Sequence, residues 1–422
     1  MKHFSSFFVE LTSEMQTQTL LSELQELDAK YAFQNYGSRL PVSLVRGEGV
    51  RLFDEDGKQY LDFLGGIAVV TLGHNHPKVT AAIVKQANEI LHVSNFFYIE
   101  PQVKLAAKLS QIAENAHGGN WRTFFCNSGA EANEAAIKIA RRLAFDKGDF
   151  ERVEIVTLKS SFHGRTLGAL AATGQPKYQQ GFGPLPLGFI HSEFNDIEDL
   201  RKNVSSKTAA VMFEPILGEA GILPLSDEFI VAAREICDEN GALLIIDEVQ
   251  SGCGRTGKFF SHEYQGVVPD IIPMAKGLAN GVPIGAVIAK AEIAAHLTPG
   301  THGTTFGGNF LAAAAGLATV EALYEENLME NAAEVGSYFA AQLEKWSEET
   351  GIVSEIRARG LMIGVSLNVP KAIELRNAAM KNGLIFNAVG DSITRFLPPL
   401  ILTKNEVDAG MEILRASWEE IQ

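Results

Sequence analysis

From Trp121 onward the chain alternates short apolar runs with amphipathic stretches, and this rhythm restricts the fold more than any other feature. "RTFFCN", "RVEIVTL", "AAVMFEPI", "ALLIIDEV", "DIIPMA" and "GAVIAKA" are brief, nearly all apolar and bounded by turn residues, as buried strands are. Between them, "SGAEANEAAIKIARRLA" and "DEFIVAAREICDENG" carry helical periodicity, the second ending on a glycine stop. Strands of this kind are buried on both faces, and parallel neighbours need a helix-length crossover. The expected class is therefore α/β, a mostly parallel sheet covered by helices.

The flanks read differently. Residues up to about Asn35 give a frayed start followed by a short helix, "LLSELQELDAKY". "VSLVRGEGVRLFDEDGKQYLDFLGG" reads as a meander with turns at "GEG" and "DEDG". Two amphipathic helices are expected near Pro77–Val93 and Pro101–Ala116, each opening on a proline. A long helical region begins near Asn309, and the runs from Ile352 to Leu402 form an α+β tail. With no repeat and no flexible linker, the ends are expected to pack together. Residues 1–75 and 325–422 would form a small domain beside a large one at 76–324.

A net formal charge of −15 argues against nucleic acid or an anionic membrane as a partner. Cys126, Cys237 and Cys253 are scattered without metal or disulfide spacing, which suits a reducing cytoplasm, and no metal is expected. The apolar patch in "MKHFSSFFVELTSE" is too short for a signal peptide, and "FLAAAAGLATV" is too short to span a bilayer.

"ALLIIDEVQSGCGRTG" contains both an acidic strand end and a G-x-G-x-x-G at Gly252, Gly254 and Gly257. A dinucleotide fingerprint needs its glycines directly after the strand and an apolar-striped helix next. Here "DEVQS" intervenes and "KFFSHEYQGVVPD" follows, so the glycines read as a loop former. Asp247 sits where open α/β sheets bind ligands, although a capping or turn acid looks the same in sequence. Lys276 follows an apolar strand among Met274, Ala275, Gly277 and Leu278. It is either an ordinary strand-end lysine or a desolvated, imine-forming amine. At Ser128, Gly129 and Ala130 a strand runs into a helix, giving either a plain N-cap or a phosphate cradle. Phe162 and His163 stand beside Arg165: an aromatic able to cover a flat ring, and a planar fork suited to a carboxylate. An imine-forming lysine, a strand-end acid, a phosphate cradle and a stacking aromatic together suit pyridoxal phosphate, which is an aldehyde, a ring and a phosphate.

At these motifs the chain resembles class III (subgroup II) aminotransferases of fold-type I, from about Tyr36 to the end. The supporting runs include "FFCNSGAEANEAAIKIAR", "FHGRTLGALAATGQPKY", "EPILGEAGI", "PDIIPMAKGL", "HGTTFGGN" and "TRFLPPL". The resemblance leans toward the acetylornithine-type enzymes and implies a seven-stranded large-domain sheet. It makes Lys276 the cofactor-linking lysine and proton carrier, and Asp247 the acid facing the ring nitrogen. Val249 and Gln250 would lie along the ring, with Gln250 on its phenolic oxygen, and Phe162 and His163 beside it. Ser128, Gly129 and Ala130 would hold the phosphate, helped by Thr305 from a neighbouring subunit, which implies a homodimer with shared sites. Arg395 would bind the α-carboxylate of glutamate and 2-oxoglutarate. Glu219 would pair with Arg395 when the donor lacks that carboxylate. Arg165 would grip the distant carboxylate, with Thr304 and Tyr36 lining that end. Ile67 stands where ornithine-specific relatives typically carry tyrosine. Leu217, Ala220, Val70 and Phe310 depart from the usual pattern without removing a catalytic group.

The implied reaction moves the terminal amine of N-acetylornithine to 2-oxoglutarate, a step of arginine biosynthesis. Rivals of the same type are succinyl-diaminopimelate, succinylornithine, ornithine, 4-aminobutyrate and lysine. A nucleotide-binding oxidoreductase built on "GCGRTG" is the rival from another class.

Overall fold

The computed structural model describes residues 19–37 and 39–422, so the frayed start assigned to the first eighteen residues lies outside them. Strands β1 (Leu44–Glu48), β2 (Arg51–Asp54) and β3 (Gln59–Asp62) form the expected meander, after a helix at Leu20–Tyr31. The central sheet comprises β4 (Trp121–Cys126), β5 (Glu154–Leu158), β6 (Phe189–Ser192), β7 (Thr208–Phe213), β10 (Leu243–Ile246), β11 (Ile271–Met274) and β12 (Gly285–Lys290). Between β7 and β10 lies a small hairpin, β8 (Ile216–Leu217) with β9 (Leu223–Pro224). The central order is β4-β12-β11-β10-β7-β5-β6, and only β12 runs antiparallel to its neighbours. Six of these strands stand out as apolar runs in the sequence; β6 alternates more weakly and is legible only in the structure.

Burial explains the composition of these strands. Every residue of β7 and β11 is buried, as strands covered by helices on both faces must be. The helix Gly129–Asp146 lays Ala132, Ala136, Ile139, Ala140 and Leu143 against one face, and small residues let it approach the sheet closely. On the other face the helix Asp227–Asn240 starts at Ser226, whose hydroxyl accepts from Phe229 N–H. It stops at Gly241, where φ is +65°. Losing such a cap costs about 1 kcal/mol.

Several element ends differ from expectation. The first amphipathic helix stops at Glu89 rather than Val93, because the chain turns extended at Ile90. The second opens at Glu100, one residue before its proline. The strand read through "ALLIIDEV" ends at Ile246; Asp247 and Glu248 still donate their N–H groups to Phe213 O and Pro273 O, and the turn begins at Val249.

The C-terminal segment builds an antiparallel sheet, β13 (Val353–Arg359), β14 (Met362–Leu367), β16 (Asn387–Val389) and β17 (Ile393–Phe396), in the order β13-β14-β17-β16. Its remaining strand, β15 (Leu384–Ile385), crosses to the N-terminal meander and pairs parallel with β3. The two ends of the chain therefore share one sheet. A continuous apolar core joins them to the large sheet through Phe63, Leu72, Met274, Phe339 and Phe396.

Candidate active site

Five chain segments leave the carboxyl edge of the central sheet and converge on one cavity of about 430 Å³. This is where ligands sit in open α/β sheets. Asn127 and Ser128 follow β4, Phe162 and His163 lie beyond β5, Glu214 follows β7, Asp247 follows β10 and Lys276 lies just past β11.

Asp247 continues the ladder by donating its N–H to Phe213 O at 2.8 Å, which fixes its side chain. The carboxylate is 2% exposed. Its Oδ2 accepts from Asn133 Nδ2 at 2.8 Å and meets His163 Nδ1 at 2.7 Å, and its Oδ1 accepts from Val249 N–H at 3.0 Å. A buried carboxylate costs several kcal/mol unless paired, and three donors offset that here. Asn133 also donates to His163 O at 2.7 Å, so the acid, the imidazole and the amide form one rigid group. His163 is held further by its N–H to Thr173 Oγ1 at 2.9 Å.

Lys276 takes φ +26°, unusual for a residue with a side chain, and this strain aims the amine into the cavity. Burial holds its pKa below the ordinary value, and Glu219 and Glu214 only partly counter it. The next residue must be small: a Cβ on Gly277 would lie 2.3 Å from Thr71 Oγ1.

Ser128 caps the helix Gly129–Asp146, its Oγ accepting from Glu131 N–H at 3.2 Å. The first N–H groups of a helix have no intrahelical acceptor, and these face the cavity at the positive end of the helix dipole. A Cβ on Gly129 would lie 2.7 Å from Val249 Cγ1, so the cradle is backbone packed directly on the Asp247 loop. Thr304 reaches the cradle's edge, its Oγ1 accepting from Asn127 Nδ2 at 3.0 Å.

Phe162 stands edge-on to Tyr178, with ring centroids 5.8 Å apart, and donates its N–H to Glu214 Oε2 at 2.8 Å. The other oxygen of Glu214 accepts from Gly218 N–H at 3.3 Å. Burial pushes the Glu214 carboxyl up to about 7, against the pull of nearby His163. Arg395, on β17 and 1% exposed, donates from Nη1 to Glu219 Oε1 at 2.8 Å and to Gly218 O at 2.9 Å. Burial would raise the pKa of Glu219, but Arg395 outweighs it and keeps the carboxyl below its ordinary value. Gln250 links this pair to the cavity, donating to Glu219 Oε1 at 3.3 Å.

The remaining candidates stand at the rim or away from it. Arg165 is exposed, its guanidinium 4.0 Å from the Tyr178 ring centroid and 5.4 Å from that of Phe162. Thr305 is exposed and Tyr36 is 77% exposed, so neither lines the cavity within one chain. Ile67 is 38% exposed in a run, Gly65 to Ala68, that holds positive φ throughout. Val69 brings the end of that run to the cavity wall. Leu217 is buried on β8 of the hairpin, while Val70, Ala220 and Phe310 are half-buried. Sequence reasoning passed over Asn127, Asn133 and Glu214. Glu214 carried the same signal as Asp247, an acid directly after an apolar strand.

Residues 32–417 match the family Aminotransferase class-III. The chain is a class-III aminotransferase. It is 49% identical to the acetylornithine aminotransferase of Methanocaldococcus jannaschii, over 94% of this chain and 98% of that protein. The ornithine aminotransferase structure from Toxoplasma gondii superposes with a TM-score of 0.90 at 29% identity, covering 98% of each chain. The N-acetylornithine aminotransferase of Stenotrophomonas maltophilia superposes with a TM-score of 0.80 at 36% identity, covering 92% of this chain and 98% of that one.

Class-III aminotransferases use pyridoxal phosphate, and the residues of this aminotransferase fit it. Among the described residues, Asn133 Oδ1, His163 Nε2 and Gln250 Oε1 are buried without a partner around the cavity, so a polar ring would find donors and acceptors waiting. Among those residues no cluster of acids, histidines or cysteines could hold a metal ion, and no helix is long and apolar enough to cross a membrane.

Proposed function

We propose that this aminotransferase moves the terminal amino group of N-acetylornithine to 2-oxoglutarate, giving N-acetylglutamate 5-semialdehyde and glutamate. The observation that carries this reading is the state of the two arginines. Arg395 is closed on Glu219 at 2.8 Å, whereas Arg165 meets only aromatic rings among the described residues. Such a site suits two substrates in turn. A donor with no carboxylate beside its reacting amine leaves the Arg395–Glu219 pair intact and places its distant carboxylate on Arg165. Glutamate brings a carboxylate that displaces Glu219, so no buried charge stands unpaired in either half-reaction.

Bound in the cavity, the cofactor supplies an electron-accepting ring conjugated to the reacting carbon. The chain supplies the rest. Lys276 offers a desolvated amine that holds the aldehyde, takes the proton from the substrate carbon and returns it on the cofactor side. Asp247, fixed by Asn133 and His163, holds a negative charge beside the ring nitrogen and keeps it protonated. The helix start at Ser128, Gly129 and Ala130 binds the phosphate through backbone N–H groups. Phe162, Val249 and Gln250 all line the cavity, where Phe162 and Val249 would pack against the ring and Gln250 would meet its phenolic oxygen.

Two copies would complete the site. Phe33, Phe96 and Tyr98 are at least 90% exposed, and an apolar surface of this size suits burial against a second chain. Such a pairing would bring the partner's Thr305 to the phosphate and cover Tyr36. Three buried thiols and an acidic surface suit the cytoplasm, where arginine biosynthesis would draw on the reaction.

Ornithine is the second reading, favoured by the superposition with an ornithine aminotransferase. Ile67 at the rim argues against it, since a small apolar residue leaves room for an acylated amine. Assaying N-acetylornithine, succinylornithine, succinyl-diaminopimelate, ornithine, lysine and 4-aminobutyrate with 2-oxoglutarate tests the proposal. The largest kcat/KM is expected with N-acetylornithine, and a best rate with 4-aminobutyrate overturns it.

A further inference from the structure

The run "GCGRTG" takes no part in the cavity, yet Gly252 through Thr256 are all buried. The loop leaves the sheet at Asp247 and passes under the C-terminal sheet. Arg255 lies there 2% exposed, and its Nη1 donates to two backbone carbonyls, Leu361 O at 3.1 Å and Pro398 O. Its own carbonyl accepts from Leu361 N–H at 3.1 Å. The contact is backbone to backbone: a Cβ on Gly360 would fall 2.6 Å from Thr256 C and 2.7 Å from Arg255 O.

The two acceptors are not arbitrary. Pro398 lies just beyond the end of β17, the strand that carries Arg395. Leu361 immediately precedes β14, whose Gly364 pairs with Arg395 itself. Carbonyl acceptors do not neutralise a guanidinium, so this is an expensive way to fill a core position. Burial pushes Arg255 down to about 9, which leaves it charged at neutral pH. What the guanidinium provides is geometry: its rigid planar group places one nitrogen, Nη1, between two fixed carbonyls, while Nη2 is buried without a partner among the described residues.

We infer that Arg255 is a positioning residue for the reaction's α-carboxylate recognition. It ties the loop that carries Asp247 to the strand that carries Arg395, and so sets where the substrate carboxylate rests relative to the cofactor. The inference rests on the proposed role of Arg395. It predicts a selective defect, because a carboxylate held at Arg395 feels a shift of β17 and a donor gripped at Arg165 does not.

Single-turnover half-reactions on the cofactor-loaded enzyme test it, with Arg255→Lys as the variant and Arg395→Gln as the reference. Arg255→Lys keeps the charge and loses the planar group that holds Nη1 between the two carbonyls. Its apparent affinity for glutamate and 2-oxoglutarate should fall by about tenfold or more, as sub-ångström to ångström misplacement does. Its affinity for N-acetylornithine should stay within about twofold. Adding Arg255→Lys to Arg395→Gln should bring no further loss for 2-oxoglutarate. If Arg395→Gln leaves 2-oxoglutarate binding unchanged, the role of Arg395 fails and this inference goes with it. If Arg395→Gln weakens that binding while Arg255→Lys does not, or weakens both substrates equally, only the inference is overturned. Arg255→Gln is the second variant. Failure of both Arg255 variants to accumulate as cofactor-loaded protein would assign the residue to folding and overturn the positioning role.

Discussion

The two halves of the cavity are built in different ways. The half around Asp247 and Lys276 is closed: Asp247, His163 and Asn133 are all buried and joined by hydrogen bonds. The half that ends at Arg165 is open, and the other candidates for the substrate end, Tyr36, Thr305 and Ile67, are exposed and do not line the cavity of one chain. Arg395, buried, and Glu219, half-buried, form an ion pair beside them, and under the proposed function a substrate carboxylate would exchange for Glu219. The difference follows from the chemistry each must serve. A cofactor that stays bound rewards a preorganised shell, since reorientation at every turnover would raise the barrier. Substrates that alternate reward a surface that another molecule completes.

The closed half should carry the largest effects. Lys276→Ala removes the one lysine that lines the cavity among the described residues, the proposed carrier of the proton. The rate of both half-reactions should fall by more than about four orders of magnitude, because base and covalent anchor are lost together. Absorbance of the bound cofactor during single turnovers measures it. A variant retaining a few per cent of the native rate would break the comparison by showing that the closed half is a binding shell only.

The boundary between the halves is sharpened by Glu219→Gln. The variant leaves Arg395 without its counter-charge when no substrate carboxylate is present. The N-acetylornithine half-reaction should slow by roughly 10- to 100-fold, the cost of a buried charge missing its partner. The glutamate half-reaction, in which the substrate supplies the carboxylate, should hardly change. Equal slowing of both would place Glu219 in the closed half.

How much of this could be read in the sequence divides along the same line. β5, β7, β10, β11 and β12 announce themselves because a strand buried on both faces has little room for polar residues, and the edge strand β4 does so through Trp121, Phe124, Phe125 and Cys126. The acids and the lysine at their carboxyl ends stand out against that apolar background. β6 was not legible, because an edge strand keeps some solvent exposure and a weaker pattern. Nor was the crossing of β15 to the meander, a two-residue pairing that depends on how the core closes. Asn133 escaped because an amide on an alanine-rich helix face signals nothing until Asp247 is brought against it from 114 residues away. "GCGRTG" was legible as a loop, but its buried arginine and the carbonyls it meets belong to tertiary packing. Tyr36, Thr305 and Ile67 could be named only through resemblance, because no local pattern marks them and none of them lines the cavity.

Glu214 gives the smallest effect and the finest test of how closed the cofactor half is. Its carboxyl sits between the N–H groups of Phe162 and Gly218, and burial pushes it from the ordinary 4.5 to about 7. Below the lower value both folded and unfolded chains hold the proton, and the group leaves stability unchanged. Between the two values the unfolded chain releases the proton while the folded one keeps it, so stability falls as pH rises through that window. Above about 7 both states are ionised, and the penalty, of order 1–3 kcal/mol, stays constant. Glu214→Gln cannot titrate, so its unfolding midpoint should drop less than the native one between pH 5 and pH 8, measured on cofactor-free protein. Identical drops in both proteins would mean that water reaches the carboxyl freely. The boundary of the closed half would then run on the near side of Phe162 rather than behind it.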